Sequence, residues 1–307
     1  MSKSIAVIGT LDTRGQEIKY VSDLIKGRGH KCIVIDVGVL GEPAFEPTIN
    51  KHHVAQAAET NLDELIALNS EAKAMAKMAE GVSNILEALY SNDKLSGVFA
   101  IGGTMGTSVA LTIMKSVPIG VPKLILSTIA FSPLIPPDAI TGDLEMMQWV
   151  AGLRGINSIN RQVLYNAAGA IAGAAEMFHK KSIEKEKTVI GLTSLGYMPC
   201  RYAISWIEPV LREKGYAVGV FHVSGMGGRM FEQTVSQGLI DAVLDLELAE
   251  ITNEVTGGIT TAGEHRLEGA GKKGIPQIVA PTVDVVWWSP GQPLPKKFKN
   301  RPFREHN

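Results

Sequence analysis

Short apolar runs alternate with amphipathic stretches along the chain. Ser4–Ile8 and Cys32–Val37 have the length and apolar content of strands, and Gln16–Arg28 between them places its apolar residues on one helical face. A strand, a helix and a second strand in this order predict a β-α-β unit, in which the two strands are parallel. Gly27 and Gly29 mark the end of the helix, because glycine readily leaves the right-handed helical region.

The same alternation continues through the rest of the chain. Further strands are predicted at Val98–Ile101, Pro122–Ala130, Thr188–Thr193, Tyr216–Val223, Asp241–Leu246 and Gln277–Pro281, and helices at Asn61–Tyr90, Thr107–Lys115, Ile156–Phe178, Arg201–Lys214, Arg229–Gln237, Ala249–Thr256 and Arg266–Lys273. Gly41–Thr60 and Phe131–Met147 predict long irregular segments. The charged segment His179–Lys187 is either a linker or the solvated end of a helix. We therefore predict an α/β fold of two tandem domains with mainly parallel sheets, residues 1–180 and 187–307.

Composition and charge limit the possible functions. A chain of 307 residues is longer than a typical single domain with one hydrophobic core, which agrees with two domains. The formal net charge of -1 gives no electrostatic basis for direct nucleic-acid binding. The sequence contains no run of about eighteen apolar residues, so it predicts no membrane span. The N-terminus enters a strand directly, without a targeting segment, and Cys32 and Cys200 lie far apart, as the reduced thiols of a cytoplasmic protein do. We expect a cytoplasmic protein without a metal site.

The sequence IAVIGTLDTRGQE, residues 5–17, is an apolar strand that ends in a loop of glycine, threonine and charged residues before a helix. The N–H groups at the start of a helix, together with hydroxyls and one guanidinium, are suited to bind phosphate oxygens. The candidate residues are Gly9, Thr10, Asp12, Thr13, Arg14 and Gly15, and Asp36 at the end of the next strand is placed to accept hydrogen bonds from ribose hydroxyls. Neither G-x-G-x-x-G nor G-x-x-x-x-G-K-[ST] is present, and a capped turn with Asp12 at the helix start is the alternative.

The sequence VFAIGGTMGT, residues 98–107, repeats this arrangement. Gly102, Gly103, Thr104, Gly106 and Thr107 follow a predicted strand and open a helix. Two such loops at the carboxyl edge of one parallel sheet strengthen the prediction of a ligand site, because ligands of open α/β sheets bind in that crevice. The alternative is that the glycines only allow tight packing.

Two further groups of residues are weaker candidates. Asp143, with Thr141 and Gly142, is suited to bind a magnesium ion or the hydroxyls of a ligand. The alternative is that Asp143 caps a helix at Leu144–Val150. A third glycine loop predicts a second anion site in the other domain, at Gly225, Gly227, Gly228 and Arg229, with His222 before it as a possible acid or base.

Five blocks of the sequence carry a family resemblance. They are IGTLDTRGQE, AIGGTMGTSVA, VPKLILSTIA, NSINRQVLYNAAGAIAG and VFHVSGMGGRMFEQ. In this order they resemble the Tm-one-like ATP-binding family of bacteria and plants, which includes the plant inhibitor of tobamovirus RNA replication. The resemblance implies two Rossmann-like three-layer domains, with ATP, with or without Mg²⁺, bound in the first. Carried onto this sequence, the implied nucleotide site consists of Gly9, Thr10, Asp12, Thr13, Gly15, Asp36, Gly102, Gly103, Thr104, Gly106, Thr107 and Thr128.

The chain departs from the family pattern at two places. Thr104 and Met105 stand where the family usually has serine and glycine. The family usually continues beyond an ending like Arg304–Asn307, so we expect a C-terminal segment to be missing from the second domain.

Two functional hypotheses follow. The first is a cytoplasmic ATP-binding protein that is regulatory or acts with a protein partner. The second is an enzyme for a phosphorylated or carboxylated metabolite in a cleft between the domains, using His222, Arg229 or Asp143. No complete set of acid, base and nucleophile assigns catalytic residues. The small residues of Ala167–Ala175 and the pair Trp287 and Trp288 predict a homo-oligomer of undetermined order.

Overall fold

The chain divides into two compact units, Met1–Glu184 and Lys185–Asn307. This division falls between the boundaries expected at residues 180 and 187. The computed structural model describes residues 2–183, 187–280, 285–289, 291, 295–300 and 302. The predicted chain ending at Arg304–Asn307 lies outside the described residues.

A parallel five-stranded sheet forms the centre of the first unit. Its strands are β1 (Ser4–Gly9), β2 (Lys31–Asp36), β3 (Gly97–Gly102), β4 (Lys123–Ser127) and β5 (Glu145–Gln148), in the order β2-β1-β3-β4-β5. Its helices are α1 (Leu11–Gly27), α2 (Lys51–Ala57), α3 (Leu62–Ala67), α4 (Glu71–Ser91), α5 (Thr104–Ser116) and α6 (Arg161–Met177). All neighbouring strands are parallel.

Helices cover both faces of this sheet. Along β1, Ala6 and Ile8 pack into a core with α2 to α5, while Ile5 and Val7 pack into a second core with α1 and α6. Successive side chains of a strand point to opposite faces, so these buried apolar positions fill two cores at once. The first unit therefore has three layers.

The small residues of α6 bring it close to the sheet. Ala167, Ala168 and Ala172 are buried in the core of that face, and Gly97 on β3 lies so near that a Cβ there would be 3.3 Å from Ile171 Cδ1. These residues therefore serve packing inside the first unit, and the predicted self-association stays a prediction.

The second unit contains a parallel four-stranded sheet. Its strands are β6 (Val189–Ser194), β7 (Ala217–His222), β8 (Ala242–Asp245) and β9 (Gln277–Val279), in the order β7-β6-β8-β9, and its helices are α7 (Met198–Glu213), α8 (Met226–Ser236), α9 (Ala249–Thr256) and α10 (Glu268–Lys273). Phe231, Val235 and Val243 are at its core. The backbone of Trp287 is fixed to the body of this unit, because its N–H donates to Asn253 Oδ1 and its carbonyl accepts from Ile259. The predicted α/β class with parallel sheets in two domains is confirmed.

Three details differ from the sequence prediction. The expected loop Gly41–Thr60 contains α2, and β5 follows Asp143 where an irregular segment or a capped helix was expected. In addition, α1, α5, α7 and α8 each begin three to five residues earlier than predicted. Glycine and threonine count against a helix in sequence patterns, but they cost little in its first turn, where the N–H groups have no helical acceptor.

None of the helices in the described ranges combines the length and the hydropathy that a membrane span needs.

Candidate functional site

A cavity of about 830 Å³ opens at the carboxyl edge of the first sheet. It lies where β1 and β3 end side by side, which is the point where the strand order reverses. Ligands of open α/β sheets bind at this switch point, because the two diverging connections leave a crevice there. The predicted loops after β1 and β3 both contribute to its lining.

The loop after β1 is shorter than expected, because α1 begins at Leu11 and Thr10 is its N-cap residue. Thr10 Oγ1 and Thr13 Oγ1 lie 2.6 Å apart, and both residues line the cavity with Asp12 and Arg14. Arg14 Nη1 donates to the carbonyl of Leu153, and Nη2 lies 3.8 Å from the position that a Cβ would take on Gly103. The guanidinium therefore stands beside the second loop.

The loop after β3 turns directly into α5, with Gly103 as the N-cap residue. The first N–H groups of a helix have no acceptor within the helix. Among the described residues, none accepts from the N–H of Thr104, Met105 or Gly106. These groups and the positive end of the α5 dipole therefore favour an anion at the cavity wall.

The five glycines of the two loops divide into two groups. A Cβ on Gly9 would lie 2.6 Å from Ile18 Cδ1, and one on Gly102 would lie 2.5 Å from the carbonyl carbon of Gly106. A Cβ on Gly15 would lie 2.5 Å from Ala44 Cβ, and Gly15 does not line the cavity. Tight packing accounts for these three. Around Gly103 and Gly106 the nearest atoms would be 3.8 and 3.7 Å away, so packing does not require glycine at either position.

Asp36 is buried at the end of β2 and does not line the cavity. Its Oδ1 accepts from Leu11 N at 3.1 Å and from Gly38 N at 2.9 Å. The carboxylate thus holds the first turn of α1 against the segment that follows β2. Its predicted role at a ribose is not tested by these contacts.

The two remaining threonines have different surroundings. Thr107 is buried, and its Oγ1 lies 2.7 Å from Ser127 Oγ at the end of β4. Thr128 is half-buried, its N–H donates to Gly102, and its Oγ1 is 3.8 Å from the position of a Cβ on Gly103. Thr128 lies beside the second loop. The hydrogen bond between Thr107 and Ser127 joins the first turn of α5 to the end of β4.

Asp143 is not brought to these loops. It precedes β5, and its Oδ2 accepts from Lys123 Nζ at 2.5 Å and from Gly120 N at 2.8 Å. Lys123 is the first residue of β4, so this pair lies at the amino edge of the sheet, roughly 15 Å of strand away from the glycine loops. Burial lowers the pKa of Lys123, and its hydrogen bond to Asp143 acts in the opposite direction.

The opposite wall of the cavity was not predicted. It consists of the segment after β2, the end of α3 and the start of α4, namely Val37, Gly38, Val39, Leu40, Leu65, Ile66, Asn69, Ser70, Glu71, Ala74 and Met75. These residues are mostly apolar and come from a part of the chain without a motif, so no sequence signal marks them. Met75 packs on the core and also lines the cavity.

Comparison with known proteins identifies the family. Residues 3–180 match the model of the N-terminal domain of the uncharacterised protein family UPF0261, and residues 187–307 match the model of its C-terminal domain. The chain belongs to the UPF0261 family.

Relatives of this UPF0261 chain occur in bacteria and plants, which confirms the resemblance drawn from the sequence blocks. A UPF0261 protein of Brucella suis is 43% identical over 307 residues, which are all of this chain and 73% of that protein. The ToMV resistance protein Tm-1 of Solanum lycopersicum is 29% identical over 332 residues, covering 100% of this chain and 43% of that protein. Among solved structures, Drosophila melanogaster DJ-1beta covers 57% of this chain and 95% of its own at 18% identity, with a TM-score of 0.28.

In the C-terminal UPF0261 domain, the third glycine loop binds a carboxylate of the chain itself. Glu250 Oε1 accepts from Gly225 N at 2.5 Å and from Gly228 N at 3.0 Å, at the start of α8. A Cβ on Gly227 would lie 1.7 Å from the carbonyl oxygen of His222, so this glycine is required by packing. Glu250 therefore occupies the position predicted for an external anion.

Glu250 belongs to a buried network around Arg266, which the sequence prediction did not include. The guanidinium donates to both oxygens of Asp245, to Glu250 Oε2 at 2.8 Å and to Glu232 Oε1 at 3.1 Å. Asp245 also accepts from Thr193 Oγ1 at 2.8 Å. Burial raises the pKa of Glu250, while Arg266 and the two backbone N–H groups oppose that shift. This network joins β6, β8, α8 and α9.

Across the described residues, no group of three or more His, Cys, Asp and Glu side chains is arranged to hold a metal ion.

Proposed function

We propose that the N-terminal UPF0261 domain binds a mononucleotide, with ATP as the first candidate, and that its phosphates lie between the two glycine loops. The observation that supports this most is that the first turn of α5, whose leading N–H groups have no acceptor among the described residues, lines one cavity together with Arg14 from the first turn of α1. Helix N-termini and a guanidinium both favour phosphate, and the guanidinium does so with directed pairs of N–H groups.

The size and chemistry of the cavity agree with this ligand. Its volume of about 830 Å³ lies within the range of roughly 300–1,000 Å³ that is typical of small-molecule sites. The loops supply the polar groups for phosphates, and the wall from α3 and α4 is mostly apolar, as a base requires. ATP binding is also what the resemblance to the family implies.

A magnesium ion would enter this site with the phosphates. Mg²⁺ usually takes one or two protein carboxylates together with phosphate and water oxygens. In the described lining, Asp12 and Glu71 are acidic and Arg14 is basic, so the wall offers carboxylates and cannot by itself neutralise a triphosphate. Asp12, in the first turn of α1, is the residue that would hold the ion.

We propose binding and assign no catalytic residue. The described lining of the cavity contains no histidine, cysteine or lysine. A regulatory role, or action with a protein partner, agrees with binding alone.

The variant Gly103→Asp tests the phosphate position. Gly103 has φ -78, which any residue adopts, and aspartate is a favourable N-cap residue, so the fold should be retained. The new carboxylate would take the place of a phosphate beside Arg14. We expect the affinity for a labelled ATP analogue to fall by about tenfold or more, equivalent to about 1.4 kcal/mol, in equilibrium binding.

Gly103→Ser is the matched control, because serine also caps a helix but carries no charge. If Gly103→Asp binds the analogue as tightly as Gly103→Ser, the phosphates do not lie at this loop. Asp36→Ala is a poorer probe, because it also removes the acceptor of Leu11 N and Gly38 N.

A further inference from the structure

Three large apolar side chains stand exposed around the mouth of the cavity. Leu40 is 68% exposed, Ile66 50% and Met105 43%, and all three line the cavity. They come from three different parts of the chain: the segment after β2, helix α3 and the first turn of α5. Single exposed apolar residues are common on protein surfaces, but a group of them at one cavity marks a contact site.

Their exposure does not result from loose backbone. The buried Lys51 Nζ donates to the carbonyls of Leu40 and Gly41 at 2.7 and 2.6 Å, and this fixes the segment that carries Leu40. Ile66 lies within α3, where its carbonyl accepts from Asn69 N at 3.1 Å. Met105 lies within α5. The backbone therefore holds all three side chains at the rim, where they remain partly exposed.

The apolar surface of this rim, formed by Leu40, Ile66 and Met105, extends into the cavity along one wall. Leu65, Ala74 and Met75 lie on the α3 and α4 side, whereas the polar groups come from the loops after β1 and β3. A volume of about 830 Å³ leaves room for much more than a phosphate group. The ligand that fits has an anionic end and an apolar body.

We propose that Leu40, Ile66 and Met105 form an apolar clamp that closes on the base of the bound nucleotide, so that the site selects a nucleotide over a bare polyphosphate. This inference rests on the proposed function. An aromatic base covered by these side chains removes apolar surface from water on both partners, and methionine sulfur makes favourable contacts with aromatic rings.

The test compares ATP with inorganic tripolyphosphate by calorimetric titration of the full chain. The variants are Leu40→Ser, Ile66→Ser and Met105→Ser, which change exposed side chains and should leave the fold intact. Leu68→Ser is the matched control, because Leu68 is 43% exposed and follows α3 but does not line the cavity. Sedimentation of each variant is measured in parallel.

We expect each rim variant to weaken ATP binding by about threefold to tenfold, the effect of losing one apolar contact, and to leave tripolyphosphate binding within about twofold. Leu68→Ser should change neither ligand. Equal affinity of the wild-type chain for ATP and tripolyphosphate, unchanged in the rim variants, would overturn the clamp and leave the proposed phosphate site standing.

Absence of binding of both ligands to the wild-type chain would instead overturn the proposed function and the clamp with it. Rim variants that alter sedimentation without altering the preference for ATP would show that a second copy covers the rim, which also overturns the clamp.

Discussion

Glycine serves two different purposes in the loop after β3. Gly102 is surrounded by backbone, whereas a Cβ on Gly106 in the first turn of α5 would meet only Ile101 O, at 3.7 Å. The sequence motif shows only that glycines are present, because the neighbours of a missing Cβ come from the folded chain. The same holds for Asp36, whose position at the end of β2 was correctly predicted but whose bonds to Leu11 and Gly38 depend on the shape of two loops.

The two glycines should respond oppositely to alanine. Gly102→Ala places a methyl group 2.5 Å from backbone and should lower the free energy of unfolding by about 3 kcal/mol, the upper range for overpacking. Gly106→Ala should raise it by about 0.5 kcal/mol, because alanine favours the helix. Urea denaturation of both variants measures the difference. Equal stability of the two would show that the turn at Gly102 adjusts more freely than its contacts indicate.

At the scale of elements, the sequence predicted the presence of strands and helices more accurately than the residues at which the helices begin. The long apolar runs of β1, β3 and β4 and the periodic pattern of α4 and α6 were correctly assigned, since burial enforces these patterns. Strand β5 was missed because its partly exposed residues EMMQ lie in a proline-rich region. Helix α2 was missed because its seven residues give too short a period.

The buried network of Arg266 ties elements of the second unit together, so its removal should be costly. Arg266→Met leaves Asp245 and Glu250 buried without their cation and should lower the free energy of unfolding by about 3–5 kcal/mol. Arg212→Met is the matched control, because the pair of Arg212 and Glu208 is on the surface of α7 and should be worth less than about 1 kcal/mol. Similar losses in the two variants, measured by urea denaturation, would contradict a dominant role of the network.

At the scale of the whole molecule, the proposed nucleotide site lies within one unit. The cavity is lined by residues between Ile8 and Ala110, and both cores that flank the first sheet end at or before Phe178. A chain of residues 1–184 should therefore fold and bind the labelled ATP analogue within about twofold of the full chain. Equilibrium binding measures this. A loss of more than about tenfold would mean that the second unit contributes to the site.

The sequence by itself determined the α/β class, the two domains, the family and the two glycine loops at one sheet edge. The class, the domains and the loops follow from local patterns, since strand and helix periods and glycine loops are encoded in neighbouring residues, and the family follows from the resemblance of five sequence blocks. Only the tertiary structure decided which glycines serve packing, that Glu250 fills the third loop, that Asp143 pairs with Lys123 at the opposite edge, and that Leu40, Ile66 and Met105 meet at one rim. Each of these depends on which atoms the folded chain brings together, and most of the contacts join residues far apart in the chain, which no local pattern records.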